Sequence, residues 1–401
     1  MVFDLFNIAY FFFLIILKWV LPRSLLTPCF IFLGVLFIWK YSLVCLILWI
    51  GISSIIVTHY RFPEWWKRLS GYVITATLFL VAKKLNFNLA TSFSFEIMLL
   101  FIYNMSRAWS LLRSFPAHST FSPKIRDILS YLWFPPLLFS GPLERFGEFR
   151  RMHYDSSRVS IPSILWYLSS AVINGLIALI LIKVFNPSLF DFANAKLPLL
   201  ITYMIQASLV IVFQFISWIH LVRAVCHLMG YDFSKPNFKN FLFGGGLLQF
   251  WINWNMSFTR FIRDYIFFPV DRIPSMKEIL IRILMAFSFY GPMHGVSKTF
   301  FLWGILQGLA LLVQSCYRIS HRRLKFMTII DRLFLKIFKI GITLGWLVLT
   351  TPLLLPEGVT LYQQIYFEIL QELNNHKDSI HQIANFLKEI VEMLNPLGKI
   401  H

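Results

Sequence analysis

The stretch WINWNMSFTRFIRDYIFFP, residues 251–269, sets Asn253, Asn255, Arg260, Arg263 and Asp264 among seven aromatic side chains and three isoleucines. It is too polar to cross lipid and too aromatic to be an ordinary surface loop. Helical spacing would put Asn255, Thr259 and Arg263 on one face, with Phe258, Phe261 and Ile262 covering another. That pattern predicts a connection, 236–273, that dips into a protein interior with its polar stripe facing inward. The plainer alternative is an interfacial helix whose arginines snorkel to lipid phosphates while Asp264 pairs with one of them.

Working outward, the surroundings are strongly apolar. The 401 residues are 57% hydrophobic, 18% aromatic and only 14% charged, with a mean hydropathy of +0.67. Soluble chains carry about 25% charged residues, and no water-soluble fold could hide this much apolar surface. Runs approaching the ~20 residues needed to cross hydrocarbon recur at 5–20, 25–39, 41–58, 71–81, 93–112, 128–140, 164–185, 199–228, 279–290, 300–313 and 334–355. The expected fold class is all-α, a multi-pass transmembrane helical bundle of about ten to eleven helices. The shorter runs suit re-entrant or interfacial helices. Residues 5–20 follow Asp4 with no basic segment before them and no small-residue cleavage pattern after them, so they are expected to be a retained span.

The expected domain organisation is one membrane domain, 1–355, followed by a tail, 356–401. In the tail Ile380, Ile383, Leu387, Ile390 and Leu394 recur at the spacing of an amphipathic helix. The net charge of +18 is unevenly placed, since residues 357–401 hold six acids against three lysines. An excess of Lys and Arg in short loops, such as Arg318, Arg322, Arg323 and Lys325, marks the cytoplasmic side and meets anionic membrane lipids, so no nucleic-acid partner is needed to explain the charge. Cys29, Cys45, Cys226 and Cys316 are scattered without metal-ligand spacing. His220 and His227 share a helical face but lack an acidic or thiol partner, so no metal site is expected. Gly244, Gly245 and Gly246 are not followed by Lys-Ser/Thr; close helix packing explains them better than phosphate binding.

A second polar position stands in YGPMHG, residues 290–295, where His294 separates two apolar runs. Gly291, Pro292 and Gly295 would open the helical ladder there. A neutral imidazole in such a place can take a proton from a hydroxyl near neutral pH. The competing explanation is a histidine satisfied by a neighbouring backbone carbonyl. Ionisable groups at membrane depth are expensive, which turns attention to function.

At these residues the chain resembles the membrane-bound O-acyltransferase family, and within it the bacterial branch that includes alginate O-acetylation proteins and the D-alanyl transferases of teichoic acid. The ordered motifs are WFPPLLFSGPLERFGEF at 133–149, Gly230-Tyr231, Asn237-Phe238, Phe250-Trp251, Trp254-Asn255 with Ser257, Arg263-Asp264-Tyr265 and Pro269, then Met293-His294-Gly295 and Trp303-Gly304. The likeness covers roughly residues 131–355. It departs from the family pattern at Met293, where a Trp is usual, at Gln307, where this branch often has a second His, and at Val270-Asp271-Arg272, which replaces a Gly-rich turn.

The resemblance implies helices around a central tunnel, with catalytic His294 and Asn255 as the family's paired residues. It implies substrate- or donor-binding roles for Arg263, Asp264, Arg260, Trp254, Ser257 and Gln307. The expected reaction moves a short acyl group, acetyl or similar, from a thioester donor to a hydroxyl of a cell-surface polysaccharide or lipid-linked acceptor. His294 would act as general base, and Asn255 would hold the acceptor or stabilise the oxyanion. No bound cofactor or metal is expected. Acyl-CoA or an acyl carrier protein would be the co-substrate, and an extracytoplasmic transferase a possible partner, with the chain in a bacterial inner or cytoplasmic membrane. Two rivals stand beside this expectation: a polytopic transporter or flippase using His294 and Arg263-Asp264 as a proton or substrate path, and a catalytically silent acyl conduit serving a separate transferase.

Overall fold

The computed structural model describes residues 5–41, 43–59, 103–112, 124–138, 141–154, 160–184, 194–233, 235–267, 275–291, 294, 298–320, 329–354 and 358–375. Among these the regular structure is entirely helical. In chain order it comprises α1 (Leu5–Val20), α2 (Arg23–Tyr41), α3 (Leu43–His59), α4 (103–112), α5 (Ile125–Leu132), α6 (Phe146–Tyr154), α7 (Ile161–Val184) and α8 (Leu197–Leu228). Then come α9 (Leu247–Asn253), α10 (Met256–Ile262), α11 (Met276–Tyr290), α12 (Lys298–Ser320), α13 (Ile329–Thr350) and α14 (Gly358–Asn375). Among the described residues, five segments are long and apolar enough to cross a membrane: Arg23–Lys40, Ile161–Val184, Leu197–Leu228, Thr299–Cys316 and Leu335–Leu354.

Lipid dictates this choice, because a helix satisfies its backbone polar groups within one segment where water is absent. The α7 helix shows how such elements pair. Its buried residues are Ile164, Ala171, Gly175 and Ala178, a stripe of mostly small side chains that lets the α8 backbone approach closely. The contact is tied by Ser217 Oγ donating to Ala171 O (2.6 Å) and Gln206 Nε2 donating to Leu181 O (2.8 Å). The opposite face of α7 carries Leu165, Trp166, Val172, Ile173, Leu176 and Ile180, all exposed, as a lipid-facing surface requires. At 32 residues, α8 is ~48 Å long at 1.5 Å per residue, more than the ~30 Å of hydrocarbon. Its last turns, from Ile216 to His227, are almost wholly buried within protein.

Two sequence expectations are corrected. Residues 128–140 do not form a span: α5 stops at Leu132 and a 3₁₀ turn, Pro135–Leu137, follows, because Pro135 and Pro136 supply no backbone N–H to continue the ladder. Residues 251–269 are not one helix. Of these, the described residues 251–267 divide into the end of α9, a break at Trp254–Asn255, α10 and a π-helical turn, Arg263–Phe267, so Asn255, Thr259 and Arg263 do not share one continuous face. At the glycines, close packing stands beside backbone conformation: Gly245 and Gly246 take φ of +87° and +147°, values that favour residues without a Cβ, and a Cβ on Gly246 would also collide with the Gln314 side chain of α12. The expected run 71–81 and the tail periodicity at 380–394 lie outside the described residues, as do Pro292, Met293, Gly295 and residues 270–272.

The aromatic side chains of the connection do enter the interior. Phe250, Trp251 and Trp254 pack with Trp303 and Ile283 from α12 and α11, while Phe258 and Phe261 pack with Leu143 from the loop preceding α6. A Ser275–Glu278 capping box starts α11. Its far end meets α12 at Gly291 and Gly304, where a Cβ on either glycine would collide with the other helix's backbone. These two positions, one on each side of His294, fix how tightly the connection is pinched.

Candidate active site

The Asn255 carboxamide is the hub of a buried polar knot. Asn255 caps α10 from the left-handed region, at φ 43° and ψ 56°, a conformation that Asn tolerates better than most residues. Its Oδ1 accepts from Asn237 Nδ2 at 3.1 Å and, more weakly, from Ser257 Oγ at 3.4 Å. Its Nδ2 donates to the Tyr103 hydroxyl at 2.9 Å. Asn237 also uses its other atoms, since its Oδ1 accepts from Ser257 N (2.9 Å) and its backbone carbonyl from Met256 N (2.8 Å). Ser257 Oγ in turn accepts from Leu143 N at 3.0 Å. The knot therefore binds together α4, the loop 141–145, the 237 loop and the break between α9 and α10.

His294 stands where α11 ends. Its backbone N–H donates to Gly291 O (2.9 Å), and its Nδ1 lies 3.1 Å from Tyr290 O. A carbonyl can only accept, so Nδ1 carries the proton and Nε2 is left as the basic nitrogen. The ring packs edge-on against Tyr290 (centroids 4.9 Å apart) and Trp303 (5.0 Å). Burial pushes the imidazole pKa down to about 4, against the raising pull of the Tyr290 and Gly291 backbone. The side chain is thus neutral across the physiological range. The carbonyl-satisfied histidine foreseen as the bland alternative is present, yet it leaves one nitrogen available.

An aromatic wall joins the two residues without a direct hydrogen bond between them. Tyr290 packs against Phe258 at 5.1 Å, Phe258 against Tyr103 at 6.2 Å, and Tyr103 holds Asn255.

The other expected site residues fall in four places. Ser257 belongs to the knot. Trp254 is core, stacked on Phe250 (5.7 Å, 14°) and packed against Phe238 and Phe241. Gln307 is fully buried and clamps α12 to α13, donating to Thr350 Oγ1 (2.7 Å) and accepting from Trp346 Nε1 (3.1 Å). It sits one turn beyond Trp303, on the same helical face. The three charged residues form an ion-pair group of their own: Asp264 bridges Arg263 (2.8 Å) and Arg145, and Arg260 faces Glu144 at 3.7 Å. His220 is satisfied by Ser170 (2.7 Å), and His227 stacks on Tyr167.

Tyr103, Tyr290, Glu144 and the Asn237 side chain were not singled out from sequence as site residues. Asn237 and Glu144 do lie inside the quoted motifs. Nothing near Tyr103 in the chain marks it, because its partner is 152 positions away.

Glu144 is 4% exposed, and burial raises its pKa to about 7 despite the opposing guanidinium groups of Arg223 and Arg260. Its neighbour Glu148 is pushed up by burial too, but the hydrogen bond from Lys235 Nζ (2.6 Å) helps bring it below its ordinary value.

Three relatives frame these residues. A peptidoglycan O-acetyltransferase of Helicobacter pylori is 34% identical over 80 residues, 20% of this chain and 15% of that protein. A teichoic acid D-alanyltransferase of Streptococcus thermophilus is 24% identical over 216 residues, 48% of this chain and 50% of the relative. A protein named "Probable alginate O-acetylase AlgI" of Pseudomonas syringae pv. tomato is 22% identical over 122 residues, 29% of this chain and 23% of its own. The matches thus span about half of these curated relatives or less. The family model for membrane-bound O-acyltransferases matches residues 30–351, a range that includes Tyr103, Glu144, the whole Asn237–Asn255 knot and His294, and the chain belongs to that family.

Proposed function

We propose that this chain is a multi-pass O-acyltransferase of a bacterial cytoplasmic membrane. It moves a short acyl group from a thioester, acyl-CoA or an acyl carrier protein, to a hydroxyl of a cell-surface glycan or lipid-linked acceptor. The observation that carries the reading is the state of His294: a part-buried, neutral imidazole whose Nδ1 is held by Tyr290 O, leaving Nε2 free to accept a proton. The names of the relatives, which include acetyl and D-alanyl transferases, support the reaction class and the kind of acceptor.

In the proposed step, His294 Nε2 takes the proton from the acceptor hydroxyl as its oxygen attacks the thioester carbonyl. Collapse of the tetrahedral intermediate forms the ester and breaks the C–S bond. The thiolate leaves with the proton returned from His294. Asn255 has committed Oδ1 to Asn237 and one Nδ2 proton to Tyr103. The remaining Nδ2 proton is the group it offers to the acceptor or to the developing oxyanion, where a well-aimed donor is worth about 3 kcal/mol of barrier. Helices surrounding a tunnel would bring donor and acceptor to His294 from opposite sides. The burial of that polar ring within aromatic walls supports such an arrangement.

The test is acyl transfer by purified protein supplied with labelled acetyl-CoA, reading thioester loss and acyl-acceptor formation. General-base catalysis contributes about 10²- to 10⁴-fold, so His294→Ala is expected to lower turnover by about that factor while leaving the protein monodisperse with an unchanged melting temperature. A well-folded His294→Ala protein turning over at the wild-type rate would remove the imidazole from the chemistry.

A further inference from the structure

The two ends of the Asn255 carboxamide have nearly the same shape, so its partners decide which end faces which neighbour. That decision starts at the backbone, where the sense of a hydrogen bond is fixed. Ser257 N–H can only donate, and it donates to Asn237 Oδ1 at 2.9 Å. Asn237 therefore turns its Nδ2 to Asn255, 3.1 Å away, and the atom that receives it is Oδ1. A second arm runs in the same sense. Leu143 N–H donates to Ser257 Oγ at 3.0 Å, and the serine's own proton is directed to Asn255 Oδ1 at 3.4 Å.

Both arms end on one oxygen, so the N–H end of Asn255 is left on the far side, where it meets the Tyr103 hydroxyl at 2.9 Å. Burial strengthens the constraint: Asn237 and Ser257 are 1% exposed and Asn255 4%, and hydrogen bonds in such low-dielectric surroundings polarise one another. Of the two arms, the one through Asn237 is the shorter and the stronger. Asn237 is also held by its backbone, whose carbonyl accepts from Met256 N at 2.8 Å. It thus grips two consecutive N–H groups at the start of α10, and turning its side chain over would orphan Ser257 N.

We infer that Asn237 is a positioning residue, which acts through Asn255 by holding that carboxamide with its N–H end toward Tyr103. The inference rests on the acyl-transfer reading, in which the second Nδ2 proton of Asn255 meets the acceptor or the developing oxyanion. Turned over, the same side chain would offer an oxygen lone pair where that N–H stood, and would repel the charge it should stabilise. Nothing in residue 255 itself fixes the direction. Two backbone N–H groups, one in the loop before α6 and one in α10, fix it through Ser257 and Asn237.

Two substitutions at 237 separate direction from support. Asn237→Asp keeps the shape and still accepts from Ser257 N, but an ionised carboxylate has no proton to give, so the Asn255 amide turns to donate to it. Asn237→Ala removes one arm and leaves the Leu143–Ser257 arm holding the native sense. Full-length protein in mixed micelles is supplied with labelled acetyl-CoA and a soluble N-acetylglucosamine oligomer, and turnover is normalised to folded protein. Asn237→Asp should lower kcat by about 10²-fold or more, as loss of one oxyanion donor does, with KM for acetyl-CoA changed less than about threefold. Asn237→Ala should lower kcat by about tenfold or less. In an Asn255→Gly background, which has no amide to turn and suits the left-handed backbone, the two substitutions should agree in kcat within about threefold. Wild type and His294→Ala are assayed beside them. Turnover that is present in wild type, lost in His294→Ala and equal in Asn237→Asp and Asn237→Ala overturns the positioning role alone, as does a gap between the two that persists in Asn255→Gly. A wild-type protein that consumes no thioester overturns the acyl-transfer reading and this inference with it.

Discussion

The α7–α8 contact and the Asn255 knot both hold helices together out of water, and they do it by opposite means. Between α7 and α8 the surface is small and apolar, and the hydrogen bonds end on backbone carbonyls: Ser217 on Ala171 O, Gln206 on Leu181 O. Each of those carbonyls belongs to a helix that largely satisfies it already. Around Asn255, by contrast, side chain bonds side chain: Asn237 to Asn255, Asn255 to Tyr103, Ser257 to Asn255. The first arrangement tolerates exchange of one small residue for another. The second requires particular atoms in particular places, and a protein surrounded by lipid keeps such a network where positioning matters more than adhesion.

That difference is broken most sharply at Asn255. Substitution by Ala leaves Asn237 Nδ2 and the Tyr103 hydroxyl without their partner, about 1–3 kcal/mol for each unsatisfied buried group. It also puts a Cβ-bearing residue without a polar side chain into the left-handed region, a further ~1 kcal/mol. The expected loss is about 4 kcal/mol, seen as a large drop in the unfolding midpoint in mixed micelles. Asn255→Gly should recover about 1 kcal/mol of it by relieving the backbone alone. Equal midpoints for the two variants would mean that the φ of 43° carries no strain.

The same operation on the scaffold should be mild. Ser217→Ala removes one hydrogen bond but leaves Ala171 O within its helix, and interhelical bonds of this kind average about 0.6 kcal/mol in membrane proteins. A loss near that of Asn255→Ala would show that the α7–α8 seam is as specific as the knot, and the contrast between the regions would disappear.

What the chain revealed in advance follows the same division. Long spans such as α7, α8 and the α13 segment were legible because lipid imposes a single rule, an unbroken apolar length, that hydropathy reads directly. His294 and Asn255 were legible as types of residue out of place in apolar surroundings. The break at Trp254–Asn255 was not, since a helical spacing at 255, 259 and 263 looks the same whether or not the first of those residues turns left-handed. Tyr103 and Glu144 were hidden for a related reason. Their roles exist only after distant segments meet, Tyr103 by its bond to Asn255 and Glu144 by its approach to Arg223 and Arg260. Gln307 was read as substrate- or donor-binding from its place in the motif, and its bonds to Thr350 and Trp346 come from α13, a segment that no local pattern around Gln307 announces. Local pattern identifies which residues are costly to bury; it does not say which partner meets that cost.

The smallest expected effect lies on the outward face of α7, and it tests the assumption beneath the whole contrast. Leu176 is 53% exposed, beside Val172, Ile173 and Ile180 on the same helix. In water a patch of this kind would be a liability for aggregation. In a bilayer, lipid chains are as apolar as leucine and flow into the space left by a truncated side chain, so neither a transfer term nor a cavity term arises. Leu176→Ala should therefore change stability in a lipid bilayer by less than about 0.5 kcal/mol, below Ser217→Ala and far below Asn255→Ala. A loss of 2 kcal/mol or more, the range for large-to-small changes in a packed core, would mean that protein and not lipid covers this face, and α7 would then belong to the interior of a larger assembly.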